Sequence, residues 1–152
     1  MEARTANFGK SAVAAHIRTH VGVQLYDESR VSPRGTAIYF LSDPRDIRQV
    51  RYVGQTSHPR RRFVQHLTTA NLWMPDEMPW WVRPPKLRPL YDWIRELYRD
   101  GRRLPTMVVC AWVETTADAR LAERARIYAC LAKGLPLLNV ETAILGRQMP
   151  LF

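Results

Sequence analysis

Residues 36–67 read TAIYFLSDPRDIRQVRYVGQTSHPRRRFVQHL, and this stretch decides the fold. It begins with Thr36–Leu41, a run rich in aromatic and branched residues that predicts a β-strand. The polar, proline-containing segment Ser42–Asp46 interrupts the run, and a second strand is predicted from about Val50 through Gly54. Two short strands with a polar connection predict a β-hairpin, with a loop longer than the tightest two-residue types.

A helix is predicted directly after the hairpin. Pro59 suits the first helical turn, where its missing N–H is not needed, and the helix continues through Phe63 and Leu67. Arg62 and His66 are four residues apart and therefore share one face of this helix. A cation beside an imidazole can hold a phosphate oxygen and move a proton. The ordinary alternative is a solvated arginine and a surface histidine.

The C-terminal half contains two further helices and a strand. Apolar residues at helical spacing predict an amphipathic helix. They are Leu90, Trp93, Ile94, Leu97 and Tyr98. Gly101 is expected to end this helix at the C′ position. Thr106–Val113 reads as a third strand, and Thr115 or Thr116 can cap a last helix that runs to Gly134. The order β-β-α-insert-α-β-α predicts an α+β fold with a small three-stranded antiparallel sheet flanked by helices.

The chain of 152 residues is long enough for one domain with a real core. We expect an N-terminal extension at 1–33, the folded domain at 34–145 with a Trp/Pro-rich insert at 69–88, and a tail at 146–152. The insert contains Trp73, Trp80 and Trp81, which either stack on unpaired bases or form a small satellite core.

The charge is the first indication of function. Twenty-three Lys and Arg oppose fourteen Asp and Glu, which gives a net charge of +9 and a pI of about 10.2. Such a surplus attracts polyanions, of which nucleic acid is the commonest, although an acidic protein partner stays open. An anionic membrane ranks well below, because the sequence has no long apolar run and no basic amphipathic helix with an apolar face.

The two cysteines, Cys110 and Cys130, both lie in apolar stretches. Neither belongs to a CxxC pair or to a zinc-type cluster, so we expect free, buried thiols in a reducing compartment. The N-terminal residues lack the sustained apolar segment of a secretory signal. These features lead us to expect a cytoplasmic protein.

Several motifs resemble those of the GIY-YIG nuclease family. Ala37-Ile38-Tyr39 and Tyr52-Val53-Gly54 are similar to its paired strand motifs, and the likeness continues through residues 52–66. Further on, Ala122-Glu123-Arg124 lies in a helix that ends before Leu137-Leu138-Asn139, as the family has an acidic helix followed by an asparagine. Alanine at position 37 departs from the family's usual glycine, but alanine fits ordinary strand angles.

The resemblance covers roughly residues 36–142 and implies a divalent-metal-dependent endonuclease that hydrolyses phosphodiester bonds in DNA. The implied cofactor is Mg²⁺, or Mn²⁺. The implied catalytic residues are Tyr39, Tyr52, Arg62, His66, Glu123 and Asn139. Tyr39 would help to activate the attacking water, which requires a phenol pKa depressed below about 10. Glu123 would hold the metal, since Mg²⁺ often needs only one or two protein carboxylates, and Asn139 would brace the site by hydrogen bonds.

More ordinary interpretations of these residues stay open. The tyrosines suit simple sheet packing, and Glu123 suits an exposed helix position paired with Arg120 or Arg126. A catalytically inactive nucleic-acid-binding module on the same fold is therefore the alternative function. If the chain is an enzyme, restriction, repair, mobile-element and defence roles are all compatible with it.

Residues beside the motifs and in the basic region 83–103 are the candidate contacts to single- or double-stranded DNA. They are Gln55, Thr56, Arg60, Arg61, Lys86, Arg88 and Arg95. Each phosphate contact would make binding weaker at high salt. The alternative for these charges is a solvated helix face.

Overall fold

The computed structural model describes residues 25–26, 35–72 and 88–139. Its sheet has the order β1-β4-β2-β3. The strands are β1 (Leu25–Tyr26), β2 (Thr36–Asp43), β3 (Asp46–Thr56) and β4 (Thr106–Val113). Because β2 pairs antiparallel with both β3 and β4, the predicted α+β fold with a three-stranded antiparallel sheet is confirmed. The two residues of β1 join β4 in parallel and bring part of the predicted N-terminal extension into the sheet.

The hairpin turn is tighter than predicted. Asp43 pairs with Asp46, so the connection between β2 and β3 contains only Pro44 and Arg45. The Asp43 carboxylate accepts hydrogen bonds from the backbone N–H and the guanidinium of Arg45, at 2.9 to 3.0 Å, and these bonds fix the turn. The next residues of β3, 47–49, are exposed. They lack apolar alternation because they extend beyond the core, and the expectation that the strand begins near Val50 was wrong for that reason.

Three helices complete the described fold: α1 (Pro59–Thr69), α2 (Arg88–Arg99) and α3 (Thr116–Ala132). Thr115 is the N-cap of α3, and its side chain accepts a hydrogen bond from the N–H of Asp118 at 3.1 Å. Gly134 follows α3 with a φ of 75°, and the N–H of Leu135 bonds to the carbonyl of Cys130. This is the left-handed glycine ending that the sequence predicts.

The end of α2 differs from the prediction. The left-handed residue is Arg102, with a φ of 52°, and not Gly101. The N–H of Arg102 bonds to the carbonyl of Tyr98 at 2.8 Å, and the N–H of Arg103 reaches back to the carbonyl of Leu97. The helix therefore unwinds one residue later than a glycine at C′ would indicate.

The helices cover both faces of the sheet. On one face, Tyr39, Leu41 and Tyr52 pack with residues of α1 and α2. On the other face, Ile38 and Val53 pack with residues of α3. Alternation along each strand thus sends the two tyrosines to the same face. None of the helices in the described part of the chain combines the length and the apolar composition needed to cross a bilayer.

The cysteines are free, as expected. Cys130 on α3 is buried in the core between this helix and the sheet, whereas Cys110 on β4 is only half-buried. Burial raises the pKa of both thiols, so both are held in the protonated form at neutral pH.

Candidate active site

A buried hydrogen bond joins the first strand motif to the first helix. The hydroxyl of Tyr39 lies 2.7 Å from Nε2 of His66. The Tyr39 side chain is fully buried, and His66 is 2% exposed. The strand β2 directs Tyr39 towards α1, where His66 lies on the face of the helix that packs on the sheet. Two residues 27 positions apart in sequence are thereby held as one pair.

Gly54 makes room for this pair. Tyr39 on β2 is the cross-strand partner of Gly54 on β3, and the phenol ring lies across the glycine. A Cβ added to Gly54 would lie 2.5 Å from Cζ and from the hydroxyl oxygen of Tyr39, which no real Cβ contact tolerates. The glycine at this position therefore permits the close approach of the Tyr39 ring.

Two more tyrosines surround His66. The Tyr52 ring meets the imidazole edge-on, with 5.6 Å between the ring centroids, and lies 6.2 Å from the Tyr39 ring. The Tyr91 ring on α2 lies 6.3 Å from His66. Tyr91 is a site residue that no sequence motif indicates. Its position next to Leu90 and three residues before Ile94 placed it on the apolar face of α2, which indicated burial and nothing more.

Electrostatics keeps the pair of Tyr39 and His66 neutral. Burial raises the pKa of Tyr39 well above its usual range, the neighbouring Tyr52 raises it further, and the Arg62 cation opposes both. Burial, and then the nearby Arg62 cation, lower the pKa of His66 from 6.5 to about 3. Arg62 alone therefore does not depress the phenol pKa as base catalysis by Tyr39 would require. His66 likewise does not act as a proton donor at neutral pH, because it is not protonated there.

Arg62 lies between this buried pair and solvent. It is half-buried on α1 and lines a surface cavity of about 350 Å³ together with Gln55, Thr56, His58 and Arg61. Its guanidinium is close enough to lower the pKa of both Tyr39 and Tyr52. Its Nε atom is buried and has no hydrogen-bond partner within the part of the chain described above. This atom is one donor that a bound anion could satisfy.

Glu123 reaches the same region from the other face of the sheet. It is half-buried on α3 and lines a second surface cavity, of about 640 Å³, together with Gln55, Arg120 and Arg124. Its carboxylate contributes to raising the pKa of Tyr39 and of Tyr52, so its charge is felt at both hydroxyls. Gln55, at the end of β3, lines both cavities and connects the Arg62 side of the site with the Glu123 side.

Asn139 braces the strand that carries Tyr52 and Gly54. Its Nδ2 donates to the carbonyl of Val53 at 2.7 Å, and its Oδ1 accepts from the N–H of Val53 at 3.0 Å. The side-chain amide thus pairs with the backbone as a neighbouring strand would. Asn139 is 8% exposed, and Leu138 beside it donates its N–H to the carbonyl of Arg51. These contacts fix the edge of β3 from which the site is built.

The predicted nucleic-acid contacts divide into three groups. Gln55 and Thr56 are half-buried at the end of β3, and Arg60 and Arg61 are exposed on α1, so these four residues border the Arg62 cavity or lie beside it. Lys86 and the three tryptophans of the insert lie outside the described residues. Arg88 is the first residue of α2, and its side chain also lies outside them.

The prediction that Arg95 binds nucleic acid is wrong. Arg95 is 4% exposed, and its Nη1 donates to the carbonyl of Ala70 at 3.0 Å and to the carbonyl of Asn71 at 2.6 Å. Those carbonyls lie at the end of α1, where backbone acceptors have no helical partner. The guanidinium is used inside the protein to cap α1, so it is not available to a phosphate.

The low pKa of His66 makes stability depend on pH. The unfolded chain takes up a proton near pH 6.5, whereas the folded protein resists it down to about pH 3. Stability is therefore lost as the pH falls from 6.5 towards 3. We expect the free energy of unfolding at pH 5 to be about 2 kcal/mol below its value at pH 7 through this residue alone.

Urea unfolding at both pH values, followed by circular dichroism, measures this difference. His66→Gln keeps a hydrogen-bond acceptor for Tyr39 without titrating, and it should remove most of the pH dependence. His58→Gln, at an exposed position on the same side of the fold, should leave the dependence as in the wild type. An unchanged pH dependence in His66→Gln would contradict the assignment.

The chain was also compared with known proteins. No family model matches it, and neither a curated protein nor a solved structure matches it significantly.

Proposed function

We propose that the chain is a divalent-metal-dependent endonuclease that hydrolyses phosphodiester bonds in DNA. The observation that carries the proposal is the hydrogen bond between Tyr39 and His66. The charges of Arg62 and Glu123 both act on the Tyr39 hydroxyl of this pair, since Arg62 lowers its pKa and Glu123 raises it. This combination of a neutral proton-transfer pair, a cation and a carboxylate suits the hydrolysis of a phosphate ester. The net charge of +9 supports a polyanionic substrate. DNA, in preference to RNA, follows from the resemblance to the GIY-YIG nucleases.

The donor set fits Mg²⁺ or Mn²⁺ only in part. The described residues contain no group of three or more His, Cys, Asp and Glu side chains that could hold a metal ion. Glu123 therefore offers one carboxylate, next to the amide of Gln55, in a cavity with room for water. A hard cation that keeps most of its waters and binds substrate oxygens fits such a site. When bound, it would lower the pKa of a water and neutralise charge on the leaving oxygen.

The remaining chemistry is assigned to side chains of the chain itself. Arg62 holds a non-bridging phosphate oxygen and stabilises the charge that develops in the transition state. In the tautomer protonated on Nδ1, Nε2 of His66 accepts the hydrogen bond of the Tyr39 hydroxyl. The oxygen of Tyr39 then takes a proton from the attacking water as its own proton passes to His66.

Substrate binding makes this proton transfer easier. Arg62 is one of the two causes of the low His66 pKa. A phosphate bound to Arg62 neutralises that cation in part, so the His66 pKa rises when the substrate is present. Proton acceptance by His66 is thereby coupled to occupation of the site.

Cleavage of plasmid DNA with Mg²⁺, Mn²⁺ or EDTA tests the proposal. We expect metal-dependent cleavage by the wild type, and a loss of about 100-fold in rate for Glu123→Gln and for Arg62→Ala. Glu114→Gln and Arg99→Ala, at exposed positions, should cut at the wild-type rate. The proposal fails if the wild type cuts neither supercoiled, linear nor single-stranded DNA with any of these metals. It also fails if Glu123→Gln and Arg62→Ala cut as well as the wild type.

The complete burial of Tyr39 supports the alternative, a catalytically inactive nucleic-acid-binding module. A hydroxyl without solvent exposure reaches a substrate only if the cover over it opens. Salt-dependent DNA binding without cleavage in the same assay would favour this alternative. In that case Arg62→Ala should weaken binding, while Tyr39→Phe should leave binding unchanged.

A further inference from the structure

Leu121 is an exposed leucine at the edge of the cavity that contains Glu123. It is 68% exposed, more than any other large hydrophobic side chain in the described part of the chain. It also lines the 640 Å³ cavity that contains Glu123. Single exposed leucines are common on protein surfaces and need no explanation. This leucine, however, borders the same cavity as the proposed catalytic carboxylate.

The order of side chains around α3 places two arginines between Glu123 and Leu121. Successive residues of a helix are rotated by roughly 100°, so Arg120 and Arg124 lie one turn apart on a common stripe. Glu123 lies on one side of this stripe, half-buried beside Gln55, and Leu121 lies on the other side, exposed. Leu121 is therefore about one helix diameter, ~10 Å, from the carboxylate.

This arrangement fits nucleic acid better than it fits a protein partner. A protein interface has a contiguous apolar centre, whereas among the described residues the lining of this cavity has Ala117 and Leu121 as its apolar side chains beside two arginines, a glutamate and a glutamine. The two exposed arginines attract phosphates. A single apolar side chain among arginines is the combination by which DNA-bending proteins unstack one base step and hold the neighbouring backbone.

We propose that Leu121 inserts into duplex DNA and unstacks a base step next to the phosphate that is cut. This inference rests on the proposed function and specifies its substrate, namely double-stranded DNA that is deformed at the cleavage site. We call the inserted Leu121 side chain the wedge. Arg120 and Arg124 hold the DNA backbone beside it. Cleavage should then favour steps that unstack easily, such as pyrimidine–purine steps.

Plasmid topology tests the wedge without knowledge of a target sequence. Negative supercoiling lowers the cost of unstacking, so it should substitute in part for the missing wedge. Against a covalently closed, relaxed plasmid, Leu121→Ser should cut about tenfold more slowly than the wild type. Against the same plasmid in supercoiled form, it should come within about twofold of the wild type. Leu121→Met, which keeps a long apolar side chain, should cut both forms as the wild type does.

Tyr128→Ser is the matched control, because Tyr128 is 41% exposed on the same helix. It should leave the ratio of the two cleavage rates unchanged. The proposal is overturned if Leu121→Ser slows cleavage of the two forms equally, or not at all.

A second measurement separates the wedge from the catalytic activity. Short duplexes that contain 2-aminopurine become brighter when the base is unstacked. Saturating wild-type protein should raise this fluorescence at least twofold in the presence of EDTA, and Leu121→Ser should not. A rise without any plasmid cleavage would support the wedge and defeat the endonuclease proposal. Plasmid cleavage without a rise in 2-aminopurine fluorescence would support the endonuclease proposal and contradict the wedge.

Discussion

Gly54→Ala should abolish cleavage while the chain still folds. The added methyl group would lie 2.5 Å from the Tyr39 ring and hydroxyl, so the ring must move and its hydrogen bond to His66 must break. We expect a loss of about 1000-fold or more in cleavage rate, since the position of both proton-transfer groups changes at once. Overpacking of the buried site should lower the free energy of unfolding by about 1–3 kcal/mol.

Gly101→Ala is the matched control for this substitution. The three atoms nearest to its Cβ would all belong to the end of the flexible Arg103 side chain, the closest at 3.1 Å. This variant should cut DNA at the wild-type rate. Wild-type activity in Gly54→Ala would contradict the assignment of Tyr39 to the site.

A double substitution identifies the ring as the cause. In a Tyr39→Leu background the obstacle is gone, so the further change Gly54→Ala should cost less than about 0.5 kcal/mol. Equal costs with and without the tyrosine ring would mean that the glycine serves the backbone of β3 instead. Urea unfolding of the four proteins measures the difference.

The pairing of Tyr39 with Gly54 shows what the sequence could and could not predict. Hydrophobic periodicity was sufficient to predict the three antiparallel strands, the three helices and the α+β class, because it reports which face of each element is buried, but it did not predict β1. It does not report register between strands. That the phenol of Tyr39 lies on Gly54 follows from the two-residue turn at Pro44 and Arg45 together with the register shifts between Leu41 and Asp43. Without those shifts Tyr39 would be opposite Val50, and the hydrophobic pattern of the two strands does not indicate them.

Protonation was even less accessible from the sequence. The sequence correctly predicts that Arg62 and His66 share one helix face, and this spacing indicated a cation beside an imidazole that donates or relays a proton near neutral pH. In the folded protein His66 is neutral at pH 7, because it is 2% exposed and burial lowers its pKa to about 3. Burial depends on α2 and on Tyr91, which join the site from a segment without any motif.

The spacing of Arg95 on α2 indicated a buried position, whereas the net positive charge of the chain favoured a nucleic-acid contact. Arg95 lies four residues after Tyr91 and three before Tyr98, on the apolar face of α2. Arginine is rarely buried unless its charge is paired or hydrogen-bonded, and a basic chain favours a nucleic-acid contact. The structure resolves the conflict, because the carbonyls of Ala70 and Asn71 at the end of α1 accept from the buried guanidinium.

Arg95→Ala should therefore be the most destabilising of the substitutions considered. It removes two charge-assisted hydrogen bonds and leaves two carbonyls without this donor, in addition to a cavity between α1 and α2. Each such bond contributes about 1.5–3 kcal/mol, so we expect the free energy of unfolding to fall by about 4 kcal/mol. Arg99→Ala, at an exposed position of the same helix, should change it by less than about 0.5 kcal/mol.

DNA binding at a temperature where all variants are folded then distinguishes the two roles of Arg95. An internal cap predicts that Arg95→Lys loses stability, because a point charge on a shorter stem replaces the planar guanidinium. It also predicts that the salt dependence of DNA binding stays as in the wild type, since no phosphate contact is lost. If Arg95 held a phosphate instead, Arg95→Ala would reduce the slope of log affinity against log salt by about one and leave stability nearly unchanged. The burial of the guanidinium and its two carbonyl partners favour the first outcome.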